Sequence, residues 1–101
     1  MAIRHIVLFT FRPEVTKEDR ERALQVLERH REIPGVISVE IGAQTRPARP
    51  GKVNPDIAES LLIRSREALD AFGQDPVHKE IAQFMAGVAD WPNPIDYEID
   101  T

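Results

Sequence analysis

The chain has no cysteine, which removes disulfides, thiolate nucleophiles and zinc–thiolate sites from consideration. That composition suits a reducing cytoplasm, the expected location. Basic charge is also short. A formal net charge of −4 at pH 7 argues against a general nucleic-acid role, which needs a basic surface. No apolar run approaches the roughly 20 residues that span a bilayer, so no membrane partner is expected. The N-terminal apolar run carries Arg4 and His5 and meets Arg12 and Pro13 with no small-residue cleavage site, so it does not read as a secretory signal. Repeats, low-complexity tracts and linkers are missing too. So are a glycine-rich phosphate loop and a G-x-S-x-G elbow. The three histidines, His5, His30 and His78, have no metal-ligand spacing with carboxylates, so neither a metal site nor a cofactor is expected.

What remains is 101 residues of ordinary globular composition, 42% hydrophobic and 30% charged, expected to form one domain over 1–101. The opening run Ile3–Phe11 is apolar on both faces of a strand. With a period of two, Ile3, His5, Val7, Phe9 and Phe11 share one face, and Ile6 and Leu8 share the other with Arg4 and Thr10. Pro13 breaks the run. Thr16-Lys17-Glu18-Asp19 then approximates a capping box, and Ala23, Val26, Leu27 and His30 recur at helical spacing.

Ile33-Pro34-Gly35 stops that helix, and Val36 to Gly42 alternates as a second strand. Gln44 to Asp56 holds Pro47, Pro50, Pro55 and Gly51 and reads as a long loop, with Arg46, Arg49 and Lys52 solvated. Ala58 to Arg64 is a third strand, apolar on both faces at Leu61-Leu62-Ile63. Ser65 caps a short helix from Arg66 to Phe72, which Gly73 should end. Asp75-Pro76 starts the last helix, with a stripe of Ile81, Phe84, Met85 and Val88. A final strand alternates Ile95, Tyr97 and Ile99 with Asp96, Glu98 and Asp100.

This order predicts an α+β, ferredoxin-like domain, a four-stranded antiparallel sheet with helices on one face. The other face would expose Ile6, Leu8 and their neighbours on the third strand. Large apolar patches seldom stay bare on a monomer. A second copy pressed sheet to sheet, closing a barrel across a two-fold axis, is the expected cover.

His78 stands at the third position of the last helix. The positive end of the helix dipole and partial burial should both keep it neutral, the form that can act as a general base. His5 shares the face of Val7 and Phe9, so the two could look into one pocket. His30, in the last turn of the first helix, is expected to be structural, protonated against the helix dipole.

The residues His5-Ile6-Val7-Leu8-Phe9, Phe11-Arg12-Pro13-Glu14, Ile33-Pro34-Gly35-Val36, Ala68-Leu69-Asp70-Ala71-Phe72, Asp75-Pro76-Val77-His78 and Asp96-Tyr97-Glu98 resemble the stress-responsive A/B barrel (Dabb) family. The likeness covers nearly the whole chain and implies a dimeric α+β barrel. Most bacterial relatives have no assigned reaction, while plant relatives include stress-induced proteins and a polyketide cyclase. The resemblance places that cyclase's two histidines at His5 and His78. It places the cyclase's two tyrosines at Leu27 and Phe72, which carry no hydroxyl to orient a substrate oxygen.

The expected function is a homodimer with a small apolar pocket for an organic ligand, lined by His5, Leu27, Phe72, His78 and Phe84. The alternative is a cofactor-free enzyme, cyclase-like or isomerase-like, in which His78 is the general base and His5 holds the developing oxyanion.

Overall fold

The structure, a computed structural model, describes residues 1–100. Its elements follow in order: β1 (Ala2–Phe11), α1 (Lys17–Glu28), a 3-10 turn (Arg29–Glu32), β2 (Val36–Ala43), β3 (Ile57–Ile63), α2 (Arg66–Gln74), α3 (Pro76–Ala86), β4 (Ala89–Asp90) and β5 (Ile95–Ile99). The sheet is antiparallel throughout the pairs that form it. β2 pairs with β3 and β3 with β1, while the other edge of β1 takes β5 along Ala2–Ile6 and β4 at Thr10 and Phe11. The sheet is thus a ferredoxin-like arrangement of five strands rather than four. The extra strand exists because the chain leaving α3 runs alongside the end of β1, where Arg12 N donates to Val88 O at 3.0 Å.

Local chemistry sets the helix boundaries. Thr16 Oγ1 accepts from Asp19 N at 3.1 Å, Ser65 Oγ from Ala68 N at 3.1 Å, and Asp75 Oδ1 from Val77 N at 2.8 Å, so each helix has a side-chain N-cap. Gly73 does not end α2, which continues through Gln74. The stop is Asp75, held extended at φ −69°, ψ 134° because it precedes Pro76. Gly35, at φ +91°, turns the chain into β2. A Cβ there would sit 2.7 Å from Ala68 Cβ, so α2 packs directly over this glycine.

The register assigns every strand residue a side. Ile3, Val7 and Phe9 of β1 and Ile57, Leu61 and Ile63 of β3 are buried beneath the helices. They divide into two packed groups. One, with Ala23, Leu27, Ile81 and Met85, lies under α1 and α3. The other, with Ile33, Val39, Ala68 and Phe72, lies under α2.

The opposite face is apolar and uncovered. Leu8, Ile95 and Tyr97 are 41%, 61% and 45% exposed there, beside half-buried Ile6 and Leu62. In β5 the apolar positions therefore point away from the helices. Asp96, directly across from His5, takes the helix side instead.

Candidate functional site

Between the sheet and the helices α2 and α3 lies a cavity of about 220 Å³. Its walls are largely apolar: Val7 and Phe9 from β1, Leu27 from α1, Leu69 and Phe72 from α2, Ile81 and Met85 from α3, and Trp91 and Pro94 before β5. Into this setting project three imidazoles, His5, His30 and His78, together with Glu59.

His5 sits in the middle of the central strand, 8% exposed, because its position is in phase with Val7 and Phe9. Its Nδ1 lies 2.5 Å from Asp96 Oδ1, contributed by the facing position of β5. An ionised carboxylate only accepts, so Nδ1 carries the hydrogen and Nε2 is the atom left for a ligand. His78 enters from the first turn of α3, half-buried, where the Asp75 cap fixes the helix start. Its pKa is lowered from 6.5 to about 4, chiefly because burial penalises the charged ring, with further contributions from the nearby His30 and His5. Asp75 pushes weakly the other way.

His30, expected to be structural and held against the dipole at the end of its helix, has a buried carboxylate as its partner instead. It is 3% exposed, with Nδ1 2.6 Å from Glu59 Oε2 and Nε2 3.3 Å from His78 Nδ1. Glu59 is itself 1% exposed. The physical reason is register. Glu59 falls on the inward side of β3 between Ile57 and Leu61, and the turn after α1 places His30 over it. A buried carboxylate requires a donor, and His30 supplies one.

Phe72 organises the group. Its ring centroid lies 5.6 Å from that of His5, 5.1 Å from His30 and 4.4 Å from His78. The cavity therefore brings together His5, Leu27, Phe72 and His78. Phe84 does not line it. That side chain falls on the flank of α3 facing α1, where the Arg22 guanidinium lies 5.5 Å from its ring centroid. Ile81, Ala82 and Met85 fill the inward positions instead.

Sequence reasoning missed Glu59, Asp96 and the participation of His30. The available signal was a glutamate in the inward phase of a buried strand. Among the described residues, no cluster of three or more His, Cys, Asp or Glu side chains is arranged to hold a metal ion.

The profile of the family described as Stress responsive A/B Barrel Domain (Dabb) matches residues 3–99. No curated protein matches the sequence. Among solved structures, a dimeric ferredoxin-like protein of unknown function from Thermobifida fusca is 25% identical, with 98% of this chain and 92% of that chain covered and a TM-score of 0.83. A Dabb family protein with a ferredoxin-like fold from Mesorhizobium loti is 21% identical, covering 99% and 98%, with a TM-score of 0.80. A hydroxynitrile lyase from Passiflora edulis is 16% identical, covering 98% and 94%, with a TM-score of 0.83.

Proposed function

The chain belongs to the stress responsive A/B barrel domain family, and from that premise we propose that it is a homodimer whose protomers each bind a small organic molecule and act on it by proton transfer. The observation that carries this reading is the clustering of three imidazoles around Phe72 in a largely apolar cavity. A purely structural core would have little use for three such groups facing one space.

The size and lining define the ligand class. A cavity of about 220 Å³ is somewhat larger than the roughly 150 Å³ that accommodates benzene, which points to a single-ring or short-chain compound. Its one polar function, a carbonyl or hydroxyl, meets the imidazoles, because Leu27 and Phe72 offer no hydroxyl. His78, held neutral, accepts a proton from the carbon or oxygen of the ligand, and His5, whose Nε2 is left as an acceptor by the Nδ1–H bond to Asp96, orients the ligand by accepting a hydrogen bond from its hydroxyl. The hydroxynitrile lyase among the structural neighbours supports the capacity of this fold for chemistry on such small molecules.

Dimerisation rests on the bare sheet face. Each leucine or isoleucine moved fully out of water contributes about 1.5–3 kcal/mol, and Leu8, Ile95 and Tyr97 lie together there. The neighbour from Thermobifida fusca, described as dimeric, supports the same assembly.

The test is histidine-ring NMR of the protein against a panel of single-ring ketones, phenols and cyanohydrins, with solvent-deuterium exchange and product formation followed in the same samples. Shifts of His5 and His78, with turnover reduced about 10²- to 10⁴-fold in His78→Gln, are expected. Ring shifts without turnover would reduce the protein to a binding module, a reading favoured by the hydroxyl-free walls. No shift with any compound would overturn both.

A further inference from the structure

We propose that His78 is a relay: as its Nε2 takes a proton from a ligand, its own Nδ1 proton passes to His30, so that the positive charge comes to rest on His30 against the buried carboxylate of Glu59. The inference deepens the proposed proton transfer and rests on that reading for its catalytic meaning. Its test is made on the free protein.

The hydrogen-bond geometry defines the path. Glu59 Oε2 accepts from His30 Nδ1–H, which leaves His30 Nε2 with a lone pair when the ring is neutral. At 3.3 Å, His78 Nδ1–H donates to that lone pair, so His78 Nε2 is unprotonated and is the basic atom of the ring. When the ligand's C–H or O–H bond breaks, its electron pair stays on the ligand and the proton forms a bond to His78 Nε2. In the same step the His78 Nδ1–H bond breaks as a bond forms between that proton and His30 Nε2. His30 is left as the imidazolium and His78 as its other neutral tautomer, now donating Nε2–H toward the cavity. One positive charge has been created, and it pairs with Glu59.

Charge placement favours this end state. On His78 the charge would sit half-buried beside two other histidines, opposed by Asp75 alone among the described residues. On His30 it lies 2.6 Å from a carboxylate that is almost wholly out of water, where attraction is least screened.

The surroundings supply no competing counter-ion. From β1 comes His5, already paired with Asp96 of β5, and among the described residues no lysine or arginine lines the cavity. The flanking Arg29 is engaged with Glu32 and Glu80, and Arg31 with Glu28. His78 can then pass a proton inward and, in the reverse direction, return it to a ligand without bearing the charge itself. Here His30 and Glu59 are positioning residues for His78.

Long-range ¹H–¹⁵N correlation of the histidine rings tests this without a ligand. At neutral pH, both His30 and His78 should be Nδ1–H tautomers. On acidification, His30 should become the imidazolium while His78 switches to the neutral Nε2–H tautomer at the same midpoint. In Glu59→Gln the shared switch should move to lower pH, and in His30→Leu the tautomer switch of His78 should vanish. Direct conversion of His78 to the imidazolium while His30 stays neutral would overturn the relay, as would a His78 found as Nε2–H throughout. The wild-type spectra decide the matter even if a variant fails to fold. Because they require no turnover, a failed relay and an inactive pocket give different results.

Discussion

Glu59 Oε2 and His30 Nδ1 lie 2.6 Å apart at a place where both side chains are almost completely removed from water. They come from positions 29 residues apart, one on the inward side of β3 and one in the turn that follows α1. Their pairing joins α1 to the sheet and also supports the wall of the cavity. Neither residue would be tolerated there without the other, since an unpaired buried charge is costly.

Breaking that pair should therefore be asymmetric. Glu59→Ala is expected to lower the unfolding free energy by about 1–3 kcal/mol, because the buried His30 Nδ1–H loses its acceptor, while replacing both residues with leucine should cost much less than the sum of the two single changes. Urea denaturation of the four proteins in the cycle measures this. Additive losses would show that the two groups do not stabilise each other.

Acid should weaken the fold through His78. Its folded pKa of about 4 lies below the ordinary 6.5, so between those values the unfolded chain binds a proton that the folded protein refuses. The contribution to stability is intact above about pH 6.5, declines as pH falls toward 4, and changes no further below that. Thermal melts of the wild type and His78→Gln across this range should diverge, with the wild type losing more. Parallel curves would contradict the depressed value.

Leu8→Asp should dissociate the proposed homodimer. Leu8 is on the sheet face away from the helices, 41% exposed, so the change places a carboxylate in the proposed interface without entering the core. Light scattering should give a dimer for the wild type and a monomer for the variant, with the circular dichroism spectrum retained. A monomeric wild type would dispose of the idea directly.

Gly35→Ala should destabilise by about 1–3 kcal/mol from backbone strain alone, since φ is +91°. The added Cβ would also approach Ala68 Cβ to 2.7 Å, forcing α2 away from the turn. Thermal unfolding measures the loss. The companion change Gly42→Ala, where a Cβ meets no atom within 4 Å, provides a control expected to be mild.

Much of the architecture was legible from short-range pattern. The alternation along Ile3–Phe11 put His5 on the buried side and Leu8 on the exposed side, and the structure agrees because strand geometry leaves a residue only two directions. Thr16, Ser65 and Asp75 announced the three helix starts because a cap is a contact between residues two or three apart. The end of α2 was misread at Gly73, since pre-proline restriction at Asp75 outweighed a glycine that the helix could absorb. Phe84 looked like a pocket residue because an apolar stripe does not reveal which of its members borders a void and which packs against a neighbouring helix.

By itself the sequence determined the strands, helices and caps and the two-sided greasiness of the central strand, all of which depend on neighbours within a few positions. Only the tertiary structure decided that Asp96 would stand behind His5, that Glu59 would meet His30, and that His30 would join His78 beside Phe72. Those partners lie 29 to 91 residues apart in the chain. Hydrogen bonds form between atoms about 3 Å apart, and no periodicity along the chain encodes which distant residues will come that close.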